Sequence, residues 1–189
     1  MAPAALRPAF YRRPAASVAR DLLGQVLEVR RGRQRLAGTI IETEAYLGED
    51  DPASHAFRGP TRRAAIMFGP PGIAYVYFIY GMYHCLNAVT GQEGEASAVL
   101  IRALSPKVPA GWTGTGLYRM RLGGPGRICR EFGIDLSMNG WDLSTSRLRI
   151  MRGATVPEDE VVVGPRVGIR SAAELPLRFR VAASREGGG

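Results

Sequence analysis

The sequence predicts a single α+β domain, built on a curved, largely antiparallel β-sheet flanked by short helices, with one protruding β-hairpin. Three observations carry this prediction. Stretches of strand composition arrive in runs, without the strand–helix alternation that marks βαβ units. The segment from Tyr75 to Tyr83 is aromatic-rich, breaks at Gly81 and resumes, as a hairpin does. At 189 residues, 46% hydrophobic and 22% charged, the chain can bury one substantial core and is too short for two. With no repeat and no interior linker, residues 1–185 are expected to form the domain and 186–189 a frayed tail.

In chain order, Ser17 can cap a short helix over residues 18–23 that Gly24 would end. Residues 25–30 and 36–46 read as paired strands around an Arg31-Gly32-Arg33 turn, followed by an acidic loop over 48–60 that holds His55. Thr61 can cap a helix to residue 68, closed by Gly69-Pro70-Pro71-Gly72. Residues 74–80 and 83–89 make the hairpin, and 98–104 a third strand. Residues 106–126 are glycine-dense and loop-like, 127–132 form one or two helical turns, and strands follow at 147–151, 161–167 and 177–181.

The net charge is +8, and Lys107 is the only lysine among 25 basic residues. Such a balance favours polyanions, with phosphate backbones ahead of anionic membranes, although a solvated basic surface gives the same count. No run of 18 apolar residues exists, so no membrane span is expected. Cys85 and Cys129 lack C-x-x-C spacing and sit among apolar residues, which fits buried free thiols in a reducing cytoplasm. With only His55 and His84 beside them, no metal site and no cofactor is expected.

Two motifs carry chemistry. In Glu42-Thr43-Glu44-Ala45-Tyr46-Leu47-Gly48, strand alternation puts Glu42, Glu44 and Tyr46 on one face. The plain reading is a solvent face; the functional one is a carboxylate that activates water, or two acting as acid and base. In the second motif, Tyr75, Tyr77 and Ile79 share one face and Val76 and Phe78 the other, with Tyr75 and Phe78 expected in the core. Tyr80-Gly81-Met82-Tyr83 then turns with Tyr80 and Met82 at an exposed tip. Large apolar groups at a tip suit a wedge that unstacks a base step, at about a few kcal/mol per step. Arg58, Arg62 and Arg63 are candidates for phosphate contacts, or for salt bridges to Glu49, Asp50 and Asp51.

With these phrases in view, the chain resembles the alkyladenine (3-methyladenine) DNA glycosylases. The matching stretches are residues 19–24, 41–47, 51–59 and 75–87, then Leu100-Ile101-Arg102-Ala103-Leu104, Gly124-Pro125-Gly126, Pro165-Arg166-Val167-Gly168 and Pro176-Leu177-Arg178-Phe179. They keep the family order and span nearly the whole chain, so the arginine-rich N-terminus resembles part of the fold rather than a transit peptide. The resemblance implies a bacterial enzyme that flips an alkylated purine out of double-stranded DNA and hydrolyses its N-glycosidic bond; a monomer is the default expectation, and the expected location is the cytoplasm, at the nucleoid. It implies that the hairpin enters the minor groove. Glu44 would activate the attacking water, which Arg102 and the Val167 carbonyl help hold. Tyr46, His55 and Tyr77 would line the base pocket, with the His55 amide reading the base edge and Asn87 obstructing the 2-amino group of guanine. Tyr80 would fill the gap in the helix, flanked by Met82 and Tyr83. The chain departs from the family at Arg63-Ala64, often Arg-Asn, and over residues 112–120, usually a more charged helical stretch.

The chemistry is coherent without the resemblance. The reaction passes through an oxocarbenium-like sugar that a carboxylate can stabilise while it orients water. A ring-alkylated base is cationic and leaves without strong acid assistance, and tyrosine faces attract it by about 0.5–2 kcal/mol per contact. Strand cleavage would need an amine nucleophile. Lys107 is the only side-chain candidate, and it follows Ser105-Pro106 in a surface loop, so a monofunctional enzyme is expected. The rivals are a non-catalytic nucleic-acid-binding module that stacks bases on the hairpin and a glycosidase using both Glu42 and Glu44.

Overall fold

The computed structural model describes residues 4–108 and 122–182. Helices α1 (Pro8–Tyr11) and α2 (Ala15–Asp21) open the chain and are followed by strands β1 (Val26–Arg31) and β2 (Gln34–Tyr46). Next come β3 (Ala74–Ile79), β4 (Tyr83–Thr90), β5 (Ser97–Ser105), β6 (Leu122–Gly123) and helix α3 (Pro125–Phe132). Strands β7 (Leu148–Met151), β8 (Val161–Gly164) and β9 (Arg178–Val181) complete the order. The nine strands form one curled sheet running β3-β4-β5-β2-β1-β7, with β6 on β5 and β9 joining β2 to β8. This is the expected single α+β domain.

The sheet closes over α2 and α3. Leu22, Leu23, Leu27, Ile40, Ile101, Leu104, Ile128 and Phe132 are fully buried in the principal core between them. A smaller cluster of Ala56, Ala64, Met67, Tyr75, Val89 and Ala98 packs beneath the 51–73 segment and supports β3 from its other side. Ala64 is wholly buried there, where the side chain of asparagine would require hydrogen-bond partners.

Several local expectations are corrected. The N-cap of α2 is Pro14, with Ser17 inside the helix. Residues 61–68 make a turn, in which the Thr61 hydroxyl accepts the Ala64 N–H at 3.2 Å, and then a 3-10 helix, Ala65–Phe68. Helix α1 and strand β6 were not foreseen. The strand expected to reach Val167 stops at Gly164, because Pro165 has no N–H for the ladder. Phe78 is not core: it is exposed and packs on His84 across the hairpin, ring centroids 4.9 Å apart. Residues 112–120 and 186–189 lie outside the described residues.

Strand β2 matters most for the site. Its second half pairs with β5 on one edge and β9 on the other, so Glu44 stands opposite both Leu100 and Arg178. The β2–β5 ladder is irregular twice. Ile41 is skipped between the Ile40–Leu104 and Glu42–Ala103 pairs, and Arg102 between Glu42–Ala103 and Thr43–Ile101. Such bulges re-aim side chains. The Arg102 carbonyl, left out of the β2 ladder, accepts the Gly124 N–H at 2.9 Å instead.

Candidate active site

A cleft of about 540 Å³ opens beside the hairpin. Its wall brings together Tyr46, His55, Tyr77, Tyr80, Tyr83, Asn87, Arg102 and Val167, which come from separate stretches of sequence. Met82 is exposed at the hairpin tip. Glu44 has no accessible surface and sits immediately behind the wall, bonded to three of its residues.

A buried carboxylate needs donors, and Glu44 has three. Oε2 accepts the Tyr46 hydroxyl at 3.0 Å and Arg102 Nη1 at 3.3 Å, while Oε1 accepts the Val167 N–H at 2.7 Å. Of the roughly four acceptor positions on a carboxylate, the remaining one is on Oε1. The Val167 group that bonds Glu44 is therefore the amide. Glu42 plays a different part. Its Oε1 accepts Arg102 Nε at 3.2 Å and Arg178 Nε at 2.8 Å, so it anchors the arginine that reaches Glu44. Thr43, on the opposite face, donates its hydroxyl to the Ala19 carbonyl at 2.7 Å and ties the strand to α2.

The aromatic wall is cross-braced. His55 Nδ1 lies 2.7 Å from the Tyr75 hydroxyl, and the His55 and Tyr77 rings meet edge to face at 4.6 Å. Burial, reinforced by the nearby Arg63 charge, pushes the His55 pKa down, which favours neutral imidazole. Burial pushes the Tyr75 and Tyr77 phenols up, and burial with the Glu44 charge does the same for Tyr46, so these rings keep their protons at neutral pH. Asn87 is buried, its Nδ2 donating to the Tyr75 carbonyl at 3.1 Å, which fixes the side-chain orientation.

At the hairpin tip, Tyr80 has φ +55° and Gly81 φ +68°, the two consecutive positive values of a tight primed turn. The Met82 N–H closes the turn on the Ile79 carbonyl at 3.3 Å. Glycine adopts this conformation freely; tyrosine does not. The side chain held there is 76% exposed. Tyr83, which opens β4 directly after the turn, rests on Gly126, where an added Cβ would come within 2.8 Å of the ring.

The phosphate candidates divide. Arg58, Arg62 and Arg63 are exposed, and among the described residues none forms an ion pair with Glu49, Asp50 or Asp51. Asp51 is taken instead by Arg166, in a salt bridge with both side chains wholly shielded from solvent. Arg63 reaches the Phe78 carbonyl at 3.4 Å and stands 6.0 Å from the Tyr77 ring centroid.

Sequence reasoning missed several site residues. Tyr75, expected in the core, is nearly buried yet forms part of the cleft wall. Cys85, Gly124, Arg127 and Arg130 also line it, the arginines from the exposed side of α3. The Asp51–Arg166 pair was missed because its members are 115 positions apart. Among the described residues no cluster of His, Cys, Asp or Glu could hold a metal ion, and no helix is long and apolar enough to cross a membrane.

Comparison with known proteins identifies the family. The family model described as methylpurine-DNA glycosylase matches residues 9–185. A protein of Myxococcus xanthus is 47% identical over 181 residues, covering 93% of this chain and 89% of its own. One from Anaeromyxobacter dehalogenans is 51% identical over 183 residues, covering 95% and 84%. One from Methanoculleus marisnigri is 45% identical over 192 residues, covering 95% and 96%. All three carry the name "Putative 3-methyladenine DNA glycosylase". With the match running almost the whole length of the chain, this protein belongs to the methylpurine-DNA glycosylase family and is a DNA glycosylase.

Proposed function

We propose that this chain is a monofunctional glycosylase that flips alkylated purines, 3-methyladenine and related bases, out of duplex DNA and hydrolyses the N-glycosidic bond with a water activated by Glu44. The observation that carries the proposal is the clasp on Glu44. A carboxylate held by Tyr46, Arg102 and Val167 directly behind the cleft wall, with one acceptor position on Oε1 not used by these bonds, would take a water hydrogen once the wall admits water to it. As the bond to the base lengthens, positive charge grows on the sugar and Glu44 stabilises it. The water oxygen then bonds to C1′, its proton passes to Glu44, and the purine departs with the bonding electrons. An alkylated purine is already cationic, so it leaves as a neutral base without a protein acid. The tyrosines keep their protons in this environment, and their faces favour a cationic guest.

The extruded base would stack among Tyr46, His55 and Tyr77, with the His55 amide reading its edge and Asn87 disfavouring a guanine 2-amino group. Tyr80 would occupy the vacated space, with Met82 and Tyr83 against the minor groove and Arg58, Arg62 and Arg63 on phosphates. Lys107 is exposed and is not part of the cleft wall, which favours hydrolysis over Schiff-base chemistry. We take the protein to act as a monomer at the bacterial nucleoid, where two buried free thiols fit a reducing cytoplasm.

The test is release of free purines from alkylated duplex DNA, with chelator present, by the native chain and by Glu44→Gln. Native release is expected, with a loss of about 10²- to 10⁴-fold in the variant and duplex binding retained. Equal release by both would remove Glu44 from the chemistry. Binding without release by the native chain would instead favour a stacking module.

A further inference from the structure

We infer that the buried Asp51–Arg166 pair determines specificity: it sets the electrical charge behind Tyr46 and so the selection between cationic and neutral lesions. The inference rests on the proposed reading of Tyr46 as a wall of the lesion pocket. The Arg166 guanidinium carbon stands 4.8 Å from the Tyr46 ring centroid. Its side chain has no exposure, and the cleft wall includes Tyr46 and Val167 but not Arg166. The arginine therefore occupies the protein side of the ring, leaving the other face to the cleft.

Adding an aromatic contact of about 3.5 Å, a base stacked on that open face lies roughly 8 Å from the guanidinium. At that range in a partly polar interior an unbalanced cation repels a cationic base noticeably. Asp51 supplies the balance. It pairs with both terminal nitrogens of Arg166, one contact at 2.9 Å, and also accepts the Leu47 N–H at 3.1 Å and the Ala53 N–H at 3.0 Å. Burial opposes the charge on Asp51, but the Arg166 bond and these two amides outweigh it and hold the carboxyl below its ordinary range. The other charges at the site are balanced: Glu42 and Glu44 face Arg102 and Arg178. Arg63, near Tyr77, and Arg127 and Arg130, on the exposed side of α3, are open to solvent and screened by it. The charge behind Tyr46 is thus shielded from solvent, and a single substitution changes it without touching Glu44.

The experiment compares dissociation constants for duplexes carrying 7-methylguanine, a cation, and hypoxanthine, which is neutral, both on cleavage-resistant 2′-fluoro sugars. Asp51→Asn leaves the Arg166 charge unbalanced and is expected to lower the preference for the cationic base roughly tenfold. Arg166→Gln leaves the carboxylate and is expected to raise it by a similar factor. The double variant Asp51→Asn/Arg166→Gln should return the ratio to the native value. Thermal melts establish that each variant folds. If Asp51→Asn does not, Arg166→Gln decides the matter, since Asp51 keeps its two amide donors there. A ratio that stays put, or that moves the same way in both single variants, overturns the inference and leaves the pair a structural brace. Release of 7-methylguanine from ordinary duplex by the native chain is scored alongside. If that fails, the proposed activity falls, while the ratios still decide how the pocket is charged.

Discussion

Tyr80→Asn separates what the hairpin tip does for the fold from what it does for DNA. Tyr80 is held at φ +55°, a left-handed conformation that costs an L-residue about 1–2 kcal/mol. Asparagine tolerates this region, and Asn-Gly is a preferred pair for such a turn. Tyr80 as a residue is 76% exposed, so little packing is lost with its ring. The expected gain is about 1 kcal/mol, or roughly 2–4 °C in melting temperature for a chain of this size. Under the proposed function the substitution also removes the wedge, and unstacking a step costs about a few kcal/mol, so release of 7-methylguanine should slow at least tenfold. Thermal melting and single-turnover base release on the same preparation make the assay. A variant that melts lower than the native chain would show that the turn is not strained. Unchanged release would show that Tyr80 does not support base extrusion.

Other outcomes follow from the site. His55 has its pKa lowered by burial and by Arg63, so the unfolded chain binds more protons below the ordinary histidine value of about 6.5. Its contribution is complete above that pH and is lost as pH falls toward the lower folded value. Melting temperature should therefore drop between pH 7 and 5 more steeply in the native chain than in His55→Gln. The lowered carboxylates of Asp51 and Glu28 lose theirs only at more acid pH. Arg127 and Arg130 stand on the cleft rim, and changing either to Gln should reduce the slope of log affinity against log salt by about one unit if it meets a phosphate. Burial pushes both cysteine thiols up, so iodoacetamide at pH 8 should leave the folded protein unlabelled and modify Cys85 and Cys129 only after unfolding.

What the sequence reveals and what it hides have physical causes. Alternation along β2 identified the face shared by Glu44 and Tyr46, because a paired strand keeps period 2. It could not reveal that Arg102 is skipped by its partner strand, since a bulge depends on the register of two strands together. Tyr75 reads as core by composition and is almost buried, yet its hydroxyl braces His55; one residue serves both packing and pocket. The cap of α2 was misplaced because Ser17 has the right chemistry while Pro14 has the right conformation. Arg166 lies in a recognisable phrase, but its partner Asp51 sits in a loop whose acids all look alike until the fold selects one.

The pairing of β2 on both edges also divides the molecule by local stability. Glu44 lies in a stretch hydrogen-bonded to β5 and β9 at once and covered by α2, where opening requires much of the sheet to come apart. The hairpin tip, held by one turn hydrogen bond and open to solvent, can fluctuate without disturbing that ladder. Backbone amides around residues 43–45 should therefore exchange with solvent among the slowest in the chain, and those of residues 80–82 among the fastest. Under the proposed function, the probing of DNA would fall to a compliant element and the bond-breaking to a stiff one, so the tip could vary in sequence while the clasp on Glu44 keeps its geometry.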